Sequence, residues 1–363
     1  MSNLPQRPSR RRTVHLRRQE WLLLGAPLLM LGLFLLLTRG QELWAQRVPE
    51  THKGDLIGVY AVAYAPDGQS LATAGFDTTI ALWQGQDHSI VRRLVGHTAA
   101  VTGLAYSPDS THLASASWDG SARLWNVQSG ACESVFSGEG GRVKSVAFSP
   151  DGRWLAMGGS ASHVQVWDIR SGALRRRWPA TQRAGVEARA SVAFSPDGQV
   201  LAVGSHDGTV ALWDMRDGHL RRRLQSCPQG VIAIAFSPDG SVLASGNWDN
   251  RIVLWNPRSG QRLQTLSGPT GAVTCVAFSP DGRRLAAGSR DHEARLWLVA
   301  SRPGQPWPQE RVLNGHTNEV WGLSFAPDSR TLATTSLDKS VKLWSLNALD
   351  WSAPDNLALP QLP

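Results

Sequence analysis

Apolar and polar positions alternate along most of this chain with the period of two that marks half-buried strands. Val101 to Trp125, VTGLAYSPDSTHLASASWDGSARLW, shows the unit. An alternating run meets a Ser-Pro-Asp turn, a second run follows, and a tight Trp-Asp-Gly turn leads to a third ending in Leu-Trp. Proline presets φ, aspartate bonds its own backbone two residues on, and glycine accepts positive φ. A short linker then leads to a fourth, more polar run such as Leu220 to Leu224. Four short strands joined by short turns predict a β-meander.

The unit recurs seven times. Its turn prolines are Pro66, Pro108, Pro150, Pro196, Pro238, Pro280 and Pro327, each 17 residues before a tryptophan: Trp83, Trp125, Trp167, Trp213, Trp255, Trp297 and Trp344. The period is 42 residues, stretched to 46 between the third and fourth copies and to 47 between the last two. A unit of this length cannot bury its apolar face alone, so residues 40–346 are expected to form one closed array. Residues 347–363, with Pro354, Pro360 and Pro363, read as a loose tail.

A different pattern precedes the repeats. Residues 1–20 are polar and arginine-rich and read as a disordered tail. Residues 21–38, WLLLGAPLLMLGLFLLLT, contain no charge and predict one transmembrane helix of roughly 27 Å at 1.5 Å per residue. The alternative is a cleaved signal peptide, whose apolar core is usually shorter and ends in a small-x-small site. Arg17-Arg18 leave a twin-arginine export signal as a weaker alternative. A soluble cytosolic scaffold with a misread N-terminus is a third. Six arginines precede the segment, so the N-terminus is expected in the cytoplasm and the repeats on the opposite, periplasmic, lumenal or extracellular side.

Charge changes the picture little. The net +8 falls to +3 once residues 1–20, with six arginines and Glu20, are set aside, so no nucleic-acid partner is expected. Cys132, Cys227 and Cys275 are too far apart for a disulfide framework or a zinc site, and Cys275 reads as a small buried residue.

Period, turn, aspartate and tryptophan in register over about 300 residues resemble the WD-repeat family of β-propellers. The resemblance implies an all-β fold of seven blades around a channel. It also implies a buried hydrogen-bonded chain in each blade, from a His before the first strand through a second-strand Ser or Thr and the turn Asp to the tryptophan. Two copies carry the full set: His97, Ser117, Asp119 and Trp125, then His316, Ser336, Asp338 and Trp344. The third copy has Ala161 in place of the aspartate and is expected to be the loosest blade. A ring needs its ends joined. Glu42 to Val48, in GQELWAQRV, resembles the fourth strands and is expected to complete the last blade, which would turn the Pro-Asp-Gly face towards the bilayer.

No HExxH, phosphate loop, nucleophile elbow or calcium loop is present, so no catalytic residue, metal or cofactor is expected. In WD-repeat proteins, residues just before the turn aspartate and six before the proline face the channel entrance on the top surface. Here these include Phe76, Trp118, His206, Trp248 and Arg290, and Tyr60, Lys144 and Trp321. Aromatics and arginine dominate binding hot spots. The expected function is a non-catalytic, membrane-anchored scaffold that binds a protein or peptide there. The alternatives are a small-ligand sensor or enzyme at the channel mouth, and packing of these aromatics against neighbouring loops.

Overall fold

All seven Pro-Asp turns close the same way. The aspartate accepts from the backbone N–H two residues on, for example Gln69 to Asp67 at 2.9 Å and Arg153 to Asp151 at 3.1 Å. The next residue takes positive φ, as Gly68, Gly152, Gly198, Gly240 and Gly282 do, or as Ser110 and Ser329 do in the second and seventh copies. The computed structural model describes residues 58–84, 89–181, 188–300, 305–346 and 355–357. Each copy folds as a four-stranded antiparallel sheet whose strands pair in chain order, giving seven blades.

The first strands of the blades are Val59–Tyr64, Val101–Tyr106, Val143–Phe148, Ser191–Phe194, Val231–Phe236, Val273–Phe278 and Val320–Phe325. Each packs against the first strand of the next, and the last against the first. The core lies between neighbouring blades, where second- and third-strand side chains such as Leu113, Ile80 and Trp125 are buried. The ring is joined at three levels. A Cβ on Gly58 would lie 2.5 Å from the Leu337 side chain, so only glycine fits that approach. The Tyr64 N–H donates to Ser324 Oγ at 3.0 Å. Gly68 lies against the Pro327 ring, the arrangement that sets Gly152 on Pro108 and Gly198 on Pro150.

Closure differs from the expectation. The fourth strand of the last blade is Asp355–Leu357, paired antiparallel with Val341–Ser345. The edge assigned to Glu42–Val48 is therefore occupied by a C-terminal strand within the stretch read as loose tail. That occupancy also removes the argument for turning the Pro-Asp-Gly face to a membrane. Residues 1–57, with the apolar segment 21–38, lie outside the described residues. No helix among the described residues is long and apolar enough to cross a membrane.

Inside the second blade the buried chain forms with one change of member. His97 joins Asp119 through Nδ1 at 2.7 Å, and its Nε2 meets Ser115 Oγ at 2.7 Å. The Trp125 indole donates to the same Ser115 oxygen at 2.8 Å. The seventh blade repeats this with His316, Asp338, Thr334 and Trp344. The expected Ser117 and Ser336 sit two residues further on, at the turn. Their hydroxyls donate to Ala99 O and Asn318 O and accept the N–H of Asp119 and Asp338. The geometry explains the shift. Trp125 pairs across the strands with Leu113, so its indole nitrogen reaches one alternation further, to residue 115, and no further.

The position ten residues before the tryptophan is thus decisive. Thr73 and Ser245 serve it in the first and fifth blades. Met157 and Val203 hold it in the third and fourth, and the buried indole nitrogens of Trp167 and Trp213 meet no partner among the described residues. In the sixth blade, which has Ala287 there, buried Arg295 binds Asp291 at 2.7 Å.

Candidate partner-binding site

The top face is built by two backbone positions that recur in every blade. The residue before the turn aspartate is pinned by its own N–H, as Trp118 is to Ala100 O at 2.9 Å and Trp248 to Gly230 O at 3.1 Å. The second residue of most first strands leans from the ring wall into the channel. A glycine just before the first strand of some blades keeps the approach open: a Cβ on Gly230 would come within 3.1 Å of Trp248.

These positions bring four predicted residues into one aromatic cluster. Tyr60 lies 5.5 Å from Phe76, 5.6 Å from Trp118 and 5.5 Å from Trp321, and Phe76 lies 5.4 Å from Trp118. All four are half-buried. The ring continues on the far side. His206 lies 5.9 Å from Trp248, and the Arg290 guanidinium sits over Trp248 at 5.4 Å. Arg290 also pairs with Glu319, whose second oxygen accepts from the Trp321 indole at 2.9 Å.

Beneath the rim lies a cavity of 480 Å³. Tyr60, Trp118, Lys144, Trp248 and Trp321 line it, whereas Phe76, His206 and Arg290 stay on the rim outside it. The partly buried Lys144 ammonium donates to Ile232 O at 3.0 Å, two blades away across the channel. Burial, then the nearby Arg189 charge, bring its pKa down to about 8. Cys275 lines the cavity too and is half-buried, not sealed in the core. Burial pushes its thiol up to about 12.

Two further cations, Arg142 and Arg189, belong to this cavity and were not among the expected residues. Arg142 stacks over Trp118 at 4.7 Å. The sequence does carry a signal for both. Arg142 stands where other copies hold Gly58, Ala100, Ala188, Gly230, Ala272 and Glu319, so five of the six are small and uncharged. Arg189 stands where all six others hold valine: Val59, Val101, Val143, Val231, Val273 and Val320. Its φ is positive, at 42°, and the fourth blade's first strand starts only at Ser191. That backbone exchanges two neighbours. Ala190 goes into the inter-blade core, and Arg189 takes the channel position.

Residues 45–297 match the family described as IFT122 first beta-propeller, and residues 307–345 match the WD domain, G-beta repeat. The chain belongs to the IFT122 first beta-propeller family, a WD-repeat propeller. No match was found among curated proteins. WD-repeat propellers generally act as protein-interaction scaffolds and typically bind protein partners. Among the described residues of this WD-repeat propeller, no three His, Cys, Asp or Glu side chains are grouped to hold a metal ion. The described aspartates of the Pro-Asp turns and of the second and seventh blades are engaged in turn and blade-chain bonds.

Proposed function

We propose that this WD-repeat propeller is a non-catalytic scaffold that captures a protein or peptide partner on its top face, around the channel mouth. The observation that carries the reading is the cluster of Tyr60, Phe76, Trp118 and Trp321, with ring centres 5.4–5.6 Å apart. Half-buried aromatics held rigid by their neighbours offer large contact area at small entropic cost, as interface anchors do. The scaffold is tethered to a membrane through residues 21–38, with its N-terminus cytoplasmic and the propeller on the opposite side; the support is the uncharged run and the arginines before it.

Changing Trp118, Trp248 and Trp321 together to alanine is expected to abolish partner capture by the full chain while leaving its circular dichroism and melting temperature near wild type. Undiminished capture would refute the assignment. Carbonate extraction tests the tether, since an anchored chain stays with the membrane pellet and leaves it only in detergent.

A small-ligand sensor is the second reading, favoured by the cavity at the channel mouth and its half-buried lysine. Calorimetric binding of a metabolite of that size, insensitive to loss of Trp321, would select it.

A further inference from the structure

The cavity at the channel mouth is one-sided in charge. Arg142 and Lys144 of the third blade and Arg189 of the fourth line it, and no Asp or Glu does so among the described residues. The Glu319 carboxylate on the adjoining rim is engaged by Arg290 and the Trp321 indole. The Cys275 thiol beside Lys144 is neutral, so it supplies no counter-charge. The tryptophans lie on other blades: Trp118 on the second, Trp248 on the fifth and Trp321 on the seventh. Cations and aromatics thus form two adjoining halves of one opening.

We propose that the mouth takes an acidic peptide, with an Asp or Glu carboxylate seated against Lys144 and Arg142 and a neighbouring apolar side chain resting on the tryptophans. The inference rests on the reading of the top face as a partner-binding surface and specifies the chemistry of that partner.

Three features support an anion. A lysine ammonium has three donors, and the bond to Ile232 O uses one. A half-buried ammonium beside other cations is held at an electrostatic cost that an incoming carboxylate offsets. Arg142, with its planar face on Trp118, retains the N–H groups of its edge for a planar, two-oxygen acceptor. The position of Arg189 adds to this. Six blades bury a valine where the fourth turns its backbone left-handed and sends an arginine to the channel, raising the positive potential at Lys144.

Selection from a random-peptide display library on the full, detergent-solubilised chain tests this. The wild type is expected to enrich peptides with Asp or Glu at one position next to an apolar residue. Lys144→Gln is expected to lose that acidic preference at least tenfold, and Lys144→Arg to keep it, which separates charge from fold. Resynthesis of an enriched peptide with phosphoserine at the acidic position distinguishes the sources of the anion. Equal or weaker binding supports the carboxylate, and tenfold tighter binding replaces it with a phosphoryl group and overturns the proposal as stated. Enriched peptides with no acidic preference that still depend on Trp118 and Trp248 would overturn the acidic assignment and leave the partner-binding face standing. Enriched peptides indifferent to the tryptophans would overturn both.

Discussion

The Trp125 indole and the Ser115 hydroxyl meet at 2.8 Å in the buried interior of the second blade, and the same oxygen lies 2.7 Å from His97. Removing the hydroxyl leaves a buried indole N–H and a buried imidazole nitrogen without a partner, each with a desolvation penalty of about 1–3 kcal/mol. Ser115→Ala is therefore expected to destabilise by about 2–3 kcal/mol. Ser117 is buried too, but its two partners, Ala99 O and the Asp119 N–H, lie at the part-buried turn, so Ser117→Ala should cost only about 1 kcal/mol. Chemical denaturation of the two variants decides it. Equal losses would contradict the shared role of Ser115.

The fourth blade offers the reverse experiment. Val203 is 1% exposed and holds the hydroxyl position, and the Trp213 indole nitrogen is buried without a partner. Val203→Thr supplies an acceptor in the place Thr73 occupies in the first blade, and is expected to stabilise by ~0.5–1 kcal/mol. The same change at Val210, also buried but facing no such donor, is expected to cost ~1–2 kcal/mol. If both variants melt lower by the same amount, Trp213 does not lack a partner in solution.

Acid should loosen the second and seventh blades first. Burial works against the Asp119 carboxylate, yet bonds from Ser121 and His97 outweigh it and bring its pKa from 3.8 down to about 2. Asp338 is lowered further by His316 and Ser340 against the same burial. A depressed carboxylate stabilises the fold above its ordinary value and loses that contribution as pH falls through the folded one. His97, lowered by burial, adds a loss that begins below 6.5, because the unfolded chain takes up its proton first. The melting temperature should fall from pH 6.5 towards 2, most steeply below 4. The double variant Asp119→Asn, Asp338→Asn should start lower and fall less; a parallel curve would remove these two blades as the cause.

Lys144 has the opposite consequence for stability and for binding. Its folded pKa, about 8, lies below the ordinary 10.5, so the fold carries the full cost of its charge below pH 8 and sheds it between 8 and 10.5. Arg189 and Cys275 are the charged and titratable groups acting on it, and Cys275 stays neutral through this window. Lys144→Met is expected to melt higher than wild type at pH 7, with the difference shrinking as pH approaches 10.5. A lower melting temperature at pH 7 would mean that the bond to Ile232 outweighs the burial of charge.

Truncation before Asp355 should expose the Val341–Ser345 edge, since an unpaired edge invites pairing with another chain. Expected are a lower melting temperature and concentration-dependent dimers in sedimentation. A monomer of unchanged stability would show that three residues of pairing contribute nothing.

The blades were legible because proline and tryptophan fix each unit at both ends with residues that have few substitutes. Two things were not. Ser115 and Ser117 are the same residue type at the same parity of one strand, so alternation places both on one face and only the reach of the Trp125 indole separates them. Asp355–Leu357 is too short to show alternation, and GQELWAQRV imitates a fourth strand better than the segment that forms one. The rim residues were found by matching equivalent positions across copies. Agreement between copies does not reveal Arg142 and Arg189, which show instead as departures: Arg189 from the valine of all six other copies, and Arg142 from the glycine or alanine of five, the sixth being Glu319.

Every sheet here is completed by its own consecutive strands, with none lent across the seam that Gly58, Tyr64 and Gly68 form with Leu337, Ser324 and Pro327. Duplicating or deleting one 42-residue stretch would add or remove a whole blade without breaking a single pairing in the others. Blade number in such a chain can change by unequal copying of its gene, while specificity is rewritten one blade at a time, as the lone arginines of the third and fourth have been.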